Sequence, residues 1–302
     1  MLKTSQQVLD RARDLARRHK PVVAIAGAED SDVVRAVAEA VKSDFVSAIF
    51  VGNAAKIEAE LREMNLESLQ LEIADADGVQ EIVTRAAGLC SQGKAQILMK
   101  GKVPTSDIMR ALLNPKAGLR QGRLLSHCAV LELEGYPKLL SFTDGGVVAV
   151  PDFEQRLAII ENAVRVSHTL GVAEPKVALL GVADEPTPEY PSTLEAAAVA
   201  RACVVRGIAR HVEGPLTFRT AYTGEMLDGW HSDVAGDPDI LVSHSIEETN
   251  VTVKALTIFR NCTFMGVITG AKVPLSLVSR ADPPRNKLAS LALAAVIAGE
   301  EL

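Results

Sequence analysis

The sequence predicts an α/β protein built on a parallel sheet covered by helices, followed by a second α/β domain. Three observations predict it: short apolar runs that do not alternate, turn residues at the end of each run, and a helical pattern after each turn. A parallel strand is covered on both faces, so it reads as a continuous apolar run. Regular strand–helix alternation is what crossover connections between parallel strands require.

The first run, PVVAIAG (21–27), ends in Gly and leads through Glu29-Asp30-Ser31 into the helical pattern DVVRAVAEAVKS. SAIFVGN (47–53) leads into AAKIEAELREMN, and LEIAD (71–75) into GVQEIVTRAAGLCSQGK. AQILMKG (95–101) precedes TSDIMRALLN. The character changes near Leu124. AVLELEG (129–135) and KLLSFTDGG (138–146) flank Tyr136-Pro137, which predicts an antiparallel hairpin. A long helical pattern then stops at Gly171, and KVALLG (176–181), GDPDILVSHS (236–245) and MGVITGA (265–271) read as further core strands. The expected domains are 1–126 with 265–302, and 127–264.

Hydrophobic residues make up 48% and charged residues 23%, the balance of a soluble globular chain. The net charge of −6 argues against nucleic-acid or membrane affinity, so any anion must be held by local Arg, Lys and backbone amides. Cys90, Cys128, Cys203 and Cys262 are far apart, which reads as reduced, buried thiols rather than a zinc site or disulfide framework. The N-terminus, MLKTSQQVLDRARDLARRHK, is charged and amphipathic and lacks the apolar core of a signal peptide. The apolar stretch 288–299 is too short to span a membrane and reads as a buried helix. A cytoplasmic location is expected. Six scattered histidines offer no HExxH, so no metal site is expected, and GxSxG and GxGxxG are absent.

Three stretches could carry chemistry. Met99-Lys100-Gly101-Lys102-Val103-Pro104-Thr105 joins a strand to a helix, so first-turn amides, two lysines and Arg110 gather where open parallel sheets bind anions. The bland alternative is a βα turn capped by Thr105 or Ser106. Gly118-Leu119-Arg120-Gln121-Gly122-Arg123 offers guanidinium forks for phosphate or is simply a solvated loop. In the third, an apolar strand closes on Ser279-Arg280-Ala281-Asp282, which suits acyl transfer: an oxyanion needs fixed donors and a thiol proton an acceptor. A helix cap with a surface ion pair is the alternative.

Taken in order, LMKGKVPTSDIMRALL (98–113), GLRQGRLLSHCAV (118–130), TDGGVVAVPDFEQ (143–155), VAGDPDIL (234–241), NVTVKAL (250–256) and GAKVPLSLVSRAD (270–282) resemble the phosphate acetyl/butyryl transferase family, above all its phosphate butyryltransferase branch. The resemblance implies two α/β domains with a cleft between them, as in isocitrate and isopropylmalate dehydrogenases, with the last strand and helix returning to the first domain. It also implies the reaction acyl-CoA plus phosphate giving acyl phosphate plus coenzyme A, with a short acyl group such as butyryl or acetyl. No permanently bound cofactor or metal is implied, coenzyme A being a substrate. A homodimer or larger homo-oligomer is expected, with the apolar C-terminal segment as a contact. Ser279 and Arg280 match the family's Ser-Arg pair at the thioester carbonyl, with Asp282 the nearest acid. The base proposed for the acetyl branch falls instead at Asn286. The substrate-binding set implied is Lys100, Gly101, Thr105, Arg110, Arg120, Asp144, Asn250 and Lys254.

The second domain departs from the family pattern. Gly145-Gly146 and Val148 replace the family's Ala-Ala and Asn, and Asp184-Glu185-Pro186 occupies a stretch that is basic in the family. Arg219 replaces a carboxylate, and His244-Ser245-Ile246-Glu247 replaces Pro-x-Ile-Glu. Two readings follow: a changed acyl specificity, with Arg219 and His244 able to bind a carboxylated chain, or an anion-binding protein without turnover. Metal-dependent oxidation of a hydroxy acid would need converging aspartates that the sequence does not display.

Overall fold

The computed structural model describes residues 1–69, 71–225, 231–279 and 282–301. The chain divides into two compact units, one formed by 5–123 with 265–302 and the other by 1–4 with 124–264. They are called here the terminal and the central unit.

The terminal unit opens with α1 (Ser5–Ala16), then alternates β1 (Val22–Ala26), α2 (Ser31–Lys42), β2 (Ser47–Gly52), α3 (Ala54–Glu63), β3 (Glu72–Asp75), α4 (Val79–Ser91), β4 (Ile97–Lys100) and α5 (Thr105–Leu113). β1 lies between β2 and β4, β2 pairs with β3, and all four strands are parallel. β1, β2 and β4 are almost wholly buried, which is why they read as unbroken apolar runs. α4 packs on β1, β2 and β4 with α5 beside it, while α1 and α2 pack against the C-terminal α10 (Pro284–Glu301). α2 and α3 start where Asp30 and Asn53 accept hydrogen bonds from the third following backbone amides, Val33 and Lys56.

The central unit holds β5 (Ser126–Leu133), β6 (Leu140–Thr143), α6 (Phe153–Thr169), β7 (Lys176–Leu180), α7 (Pro191–Val205), β8 (His211–Leu216), α8 (Phe218–Thr223), β9 (Ile240–Val242) and α9 (Ile246–Phe259). β5 and β6 are the antiparallel hairpin, and β6, β9, β7 and β8 then run parallel in that order. β9 is shorter than the run 236–245 suggested, because Gly236 to Pro238 form a turn and Ser243 to Ser245 an entry into α9. α6 begins with a capping box between Asp152 and Gln155.

β10 (Cys262–Thr269) carries the chain back, and β11 (Leu275–Ser276) follows it antiparallel to β10 and parallel to β4. The apolar stretch of α10 is buried from Leu291 to Ala298 within the terminal unit. It is therefore not the oligomer contact the sequence suggested. Among the described residues no helix is long and apolar enough to cross a membrane.

Candidate active site

In the terminal unit the parallel strands β1, β4 and β11 deliver their carboxyl ends to one edge. After β1 the chain turns at Gly27, whose φ of +78° is the left-handed conformation glycine favours. After β4 it turns at Gly101. The two turns are zipped together: Gly101 N–H donates to Ala26 O at 2.9 Å and Lys102 N–H to Gly27 O at 2.7 Å. A Cβ at Gly101 would sit 2.2 Å from Gly27 O, so only glycine permits this approach. β2 and β4 flank β1 on opposite sides, which makes this the point where strand order reverses and where α/β sheets open a ligand crevice.

Lys100, the last residue of β4, is 7% exposed, and its Nζ lies 3.4 Å from Gly101 O. Thr105 opens α5 but does not cap it. The capping position is Pro104, and no side chain closes the first turn. Its leading N–H groups are thus left for solvent or an anion. Arg110 is exposed and held by Asp107 Oδ1 at 2.6 Å.

β11 continues through Leu277 and Val278 to Ser279, which is exposed on this same edge. Ser279 N–H donates to Asp282 Oδ2 at 2.7 Å, and Asp282 N–H returns a bond to Ser279 O at 3.2 Å. Beneath the turn Lys287, 2% exposed in the first turn of α10, donates from Nζ to Asp282 O at 2.5 Å. The same ammonium lies 3.7 Å from Asp32 Oδ2 at the start of α2. Asn286 is buried beside it. Arg280 lies outside the described residues.

Arg120 is not brought to this edge. It bridges Ala271, and Lys272 N–H donates to Leu119 O, in the turn that precedes β11. Because β11 is parallel to β4, that turn lies at the amino ends of both strands, opposite Lys100 and Ser279.

In the central unit β6, β9, β7 and β8 also end on one edge. Asp144 follows β6 directly and is 5% exposed. Its Oδ1 accepts from the backbone N–H of His127, Gly146 and Val147, and Oδ2 accepts from Val148 at 2.9 Å. Both oxygens therefore hold the loop after β6. Asn250, on α9, donates from Nδ2 to Gly145 O at 3.1 Å, and Lys254 is exposed one turn further on.

The departures from the family pattern have local partners. Asp184 accepts from Thr217 N–H at 2.6 Å and Thr220 Oγ1 at 2.9 Å, fixing the start of α8. Arg219 pairs with Glu225 on an exposed helix and does not meet His244. His244 instead receives Arg156 Nη2 at 3.1 Å on Nδ1, while Arg156 Nε donates to Glu195 Oε1 at 2.8 Å. Arg156 is 4% exposed and lines two small recesses with Val242 and Ser243.

Sequence reasoning passed over Lys287, Arg156 and His127. Lys287 had a visible signal, a lysine facing inward at the head of the apolar run LASLALAAV. All four cysteines are buried thiols, and burial pushes Cys90, Cys128 and Cys203 up to about 12. Among the described residues no cluster of His, Cys, Asp or Glu could hold a metal ion.

Residues 76–295 match the family described as Phosphate acetyl/butaryl transferase. A phosphate butyryltransferase of Clostridium acetobutylicum is 33% identical over the whole of both chains. A probable phosphate butyryltransferase of Bacillus subtilis is 37% identical over 92% of this chain and 93% of its own. A crystal structure of a branched-chain phosphotransacylase from Enterococcus faecalis superposes with a TM-score of 0.82 at 30% identity, covering 92% of this chain and 99% of that one.

Proposed function

Since the chain belongs to the phosphate acetyl/butaryl transferase family, we propose that it transfers a short acyl group between coenzyme A and phosphate at the carboxyl edge of β1, β4 and β11. The observation that carries this reading is the convergence of buried Lys100, the Gly27–Gly101 contact, the uncapped start of α5 and Ser279 on one strand edge. Such an edge concentrates donors and positive charge where an anion and a developing oxyanion need them.

A phosphate oxygen attacks the thioester carbonyl carbon. A C–O bond forms, the C–S bond breaks, and the electron pair leaves on sulfur as the thiolate of coenzyme A. Phosphate at neutral pH already presents an unprotonated oxygen, so the forward attack needs no base. Ser279 Oγ donates to the oxyanion of the tetrahedral intermediate, with Arg280 next to it in the chain. Lys100 and the α5 amides hold phosphate oxygens, Gly101 leaves the backbone open to them, and Arg110 reaches the outer phosphates of coenzyme A. Asp282 clamps the turn that presents Ser279, a role suited to a carboxylate already receiving Ser279 N–H. Arg120 falls outside this reading, because it lies at the other end of the strands. In the central unit Asp144 holds the loop whose Gly145 carbonyl accepts from Asn250, and Lys254 is exposed one turn further along α9.

Among the described residues no feature favours loss of turnover. The altered polar positions Asp184, Arg219 and His244 are satisfied by neighbours. We also infer a cytoplasmic homo-oligomer. Unbridged buried thiols suit a reducing compartment, and α9 exposes Val251, Ile258 and Phe259. The test of function is phosphate-dependent thiol release from acetyl-, propionyl-, butyryl- and isobutyryl-CoA. Release that needs phosphate supports the reading; binding of coenzyme A with no release from any acyl chain overturns it.

A further inference from the structure

The turns at the amino ends of β1, β2, β4 and β11 have no part in the proposed reaction, and their charge is one-sided. They hold Arg18, Lys94, Lys116, Arg120, Arg123 and Lys272, all exposed, and none of these is ion-paired among the described residues. The one carboxylate in the same turns, Asp44, is already taken by Lys20. The chain as a whole has 38 Asp and Glu against 32 Lys and Arg, so acidic partners are available in number. In the central unit, by contrast, exposed Arg165, Arg206 and Arg210 each hold a glutamate at 2.6 to 3.0 Å.

Local contacts within the terminal unit hold these cations together. α5 returns the chain from the carboxyl edge, and the short 3₁₀ helix Pro115–Ala117 packs on α4. A Cβ on Gly118 would meet Ser91 Oγ at 3.3 Å, at the end of α4 and three residues before Lys94. Beyond Gly118, Arg120 bridges Ala271, and Leu119 O accepts from Lys272 N–H at 2.8 Å. Lys94, Lys116, Arg120 and Lys272 are thereby gathered around the starts of β4 and β11. Arg18 stands before β1, the neighbour of β4. Helix dipoles do not account for the group. A cation near a helix C-terminus offsets the dipole, and Lys94 stands just past α4, but Arg120, Arg123 and Lys272 lie well beyond the end of any α-helix. Like charges grouped without counterions repel one another and cost stability.

We propose that this amino edge of the terminal unit binds linear polyphosphate. Guanidinium forks and ammonium groups grip phosphate oxygens. A row of them suits a repeating anion better than a small molecule, which needs a concave pocket. The neighbouring strands β2, β1, β4 and β11 set a row roughly 15 Å long at ~4.8 Å per strand. What the turns lack selects the phosphate chain over other polyanions. No Phe, Tyr or Trp is exposed there to stack a nucleic-acid base, Phe45 being fully buried. Among the described residues Leu113 is the one large apolar side chain exposed beside the cations, too little to anchor an acidic protein or enter a lipid surface. The edge lies at the other end of the strands from Lys100 and Ser279, and the inference stands apart from the acyl-transfer reading.

The experiment follows the fluorescence anisotropy of an end-labelled linear polyphosphate titrated with the protein, with and without saturating coenzyme A. The native protein is expected to bind in both conditions. A triple variant, Arg120→Gln with Arg123→Gln and Lys272→Gln, is expected to bind at least about tenfold more weakly, with a salt slope lower by about 2–3. The matched triple Arg165→Gln, Arg206→Gln and Arg210→Gln removes the same charge from the central unit and is expected to bind like the native protein. Equal losses in the two triples, no loss in the first, or no binding by the native protein would overturn the proposal. Binding that vanishes when coenzyme A is added would place polyphosphate in the reaction's own anion site and overturn it too. Single-stranded DNA, polyglutamate and phosphatidylglycerol vesicles are titrated alongside. Tighter binding of any of these, lost in the first triple, would overturn the choice of ligand. Should that triple fail to fold, Arg123→Gln and Lys272→Gln singly are each expected to lower the salt slope by about 1, and an unchanged slope in both refutes the proposal.

Discussion

Asp282 Oδ2 receives the backbone N–H of Ser279 at 2.7 Å, and the two residues are tied again through Asp282 N–H and Ser279 O. A carboxylate used this way fixes the turn that presents the serine hydroxyl. Asparagine keeps an acceptor at the same position, and alanine does not. Asp282→Asn should therefore retain kcat within about threefold, whereas Asp282→Ala should lose at least about tenfold through misplacement of the donor. Steady-state kinetics on the two variants decide it. Equal, severe losses in both would make the charge itself essential and Asp282 a base.

Lys287 supports that turn from below, with its ammonium 2.5 Å from Asp282 O. Replacing it with methionine fills a similar volume but leaves the carbonyl without its donor. Lys287→Met should lower stability by about 1–3 kcal/mol and kcat by at least about tenfold. Urea unfolding and kinetics measured together check it. Unchanged kcat in a destabilised variant would restrict Lys287 to a structural role.

The depressed proton affinity of buried His127 also makes a stability prediction. In the unfolded chain the imidazole titrates near 6.5, while in the folded protein it titrates lower because burial disfavours the cation, the Asp144 charge only partly compensating. Between those two values the unfolded state binds more protons, so stability must fall as pH drops below about 6.5. Urea midpoints across that window should show the slope in the native protein and a shallower one in His127→Gln.

The buried thiols bear on the enzyme assay. Cys90, Cys128 and Cys203 are held up to about 12, where the reactive thiolate is scarce at pH 8. A chromogenic disulfide reagent should therefore register far fewer than the four thiols of the native chain within minutes, and all four in denaturant. Rapid native labelling of all four would contradict the burial.

Much of the strand–helix order was legible because β1, β2 and β4 are buried on both faces and end in glycine, Gly27, Gly52 and Gly101. β8 was not, because HVEGPL carries Gly214-Pro215, which reads as a turn. α7 was missed because PSTLEAAAVARACVV is apolar around most of its circumference and shows little periodicity. The Lys100 and Ser279 stretches could be read as sites because each follows an apolar run. The position of Arg120 could not, since it depends on β11 reversing against β10 and so on which end of the sheet the intervening turn reaches. The pairing of Arg156 with His244 and Glu195 joins three separate elements, and no local spacing announces it. His127 lies within the matched stretch GLRQGRLLSHCAV (118–130), but its character comes from what surrounds the ring, which that stretch does not show.

The central claim is that Ser279 donates to the oxyanion during attack by phosphate, and one comparison tests it most directly: phosphate-dependent thiol release from butyryl-CoA by the native protein and by Ser279→Ala. The predicted result is a loss of about 10²–10³-fold in kcat, with KM for either substrate little changed and the unfolding midpoint preserved. Native turnover in a folded Ser279→Ala protein would contradict it.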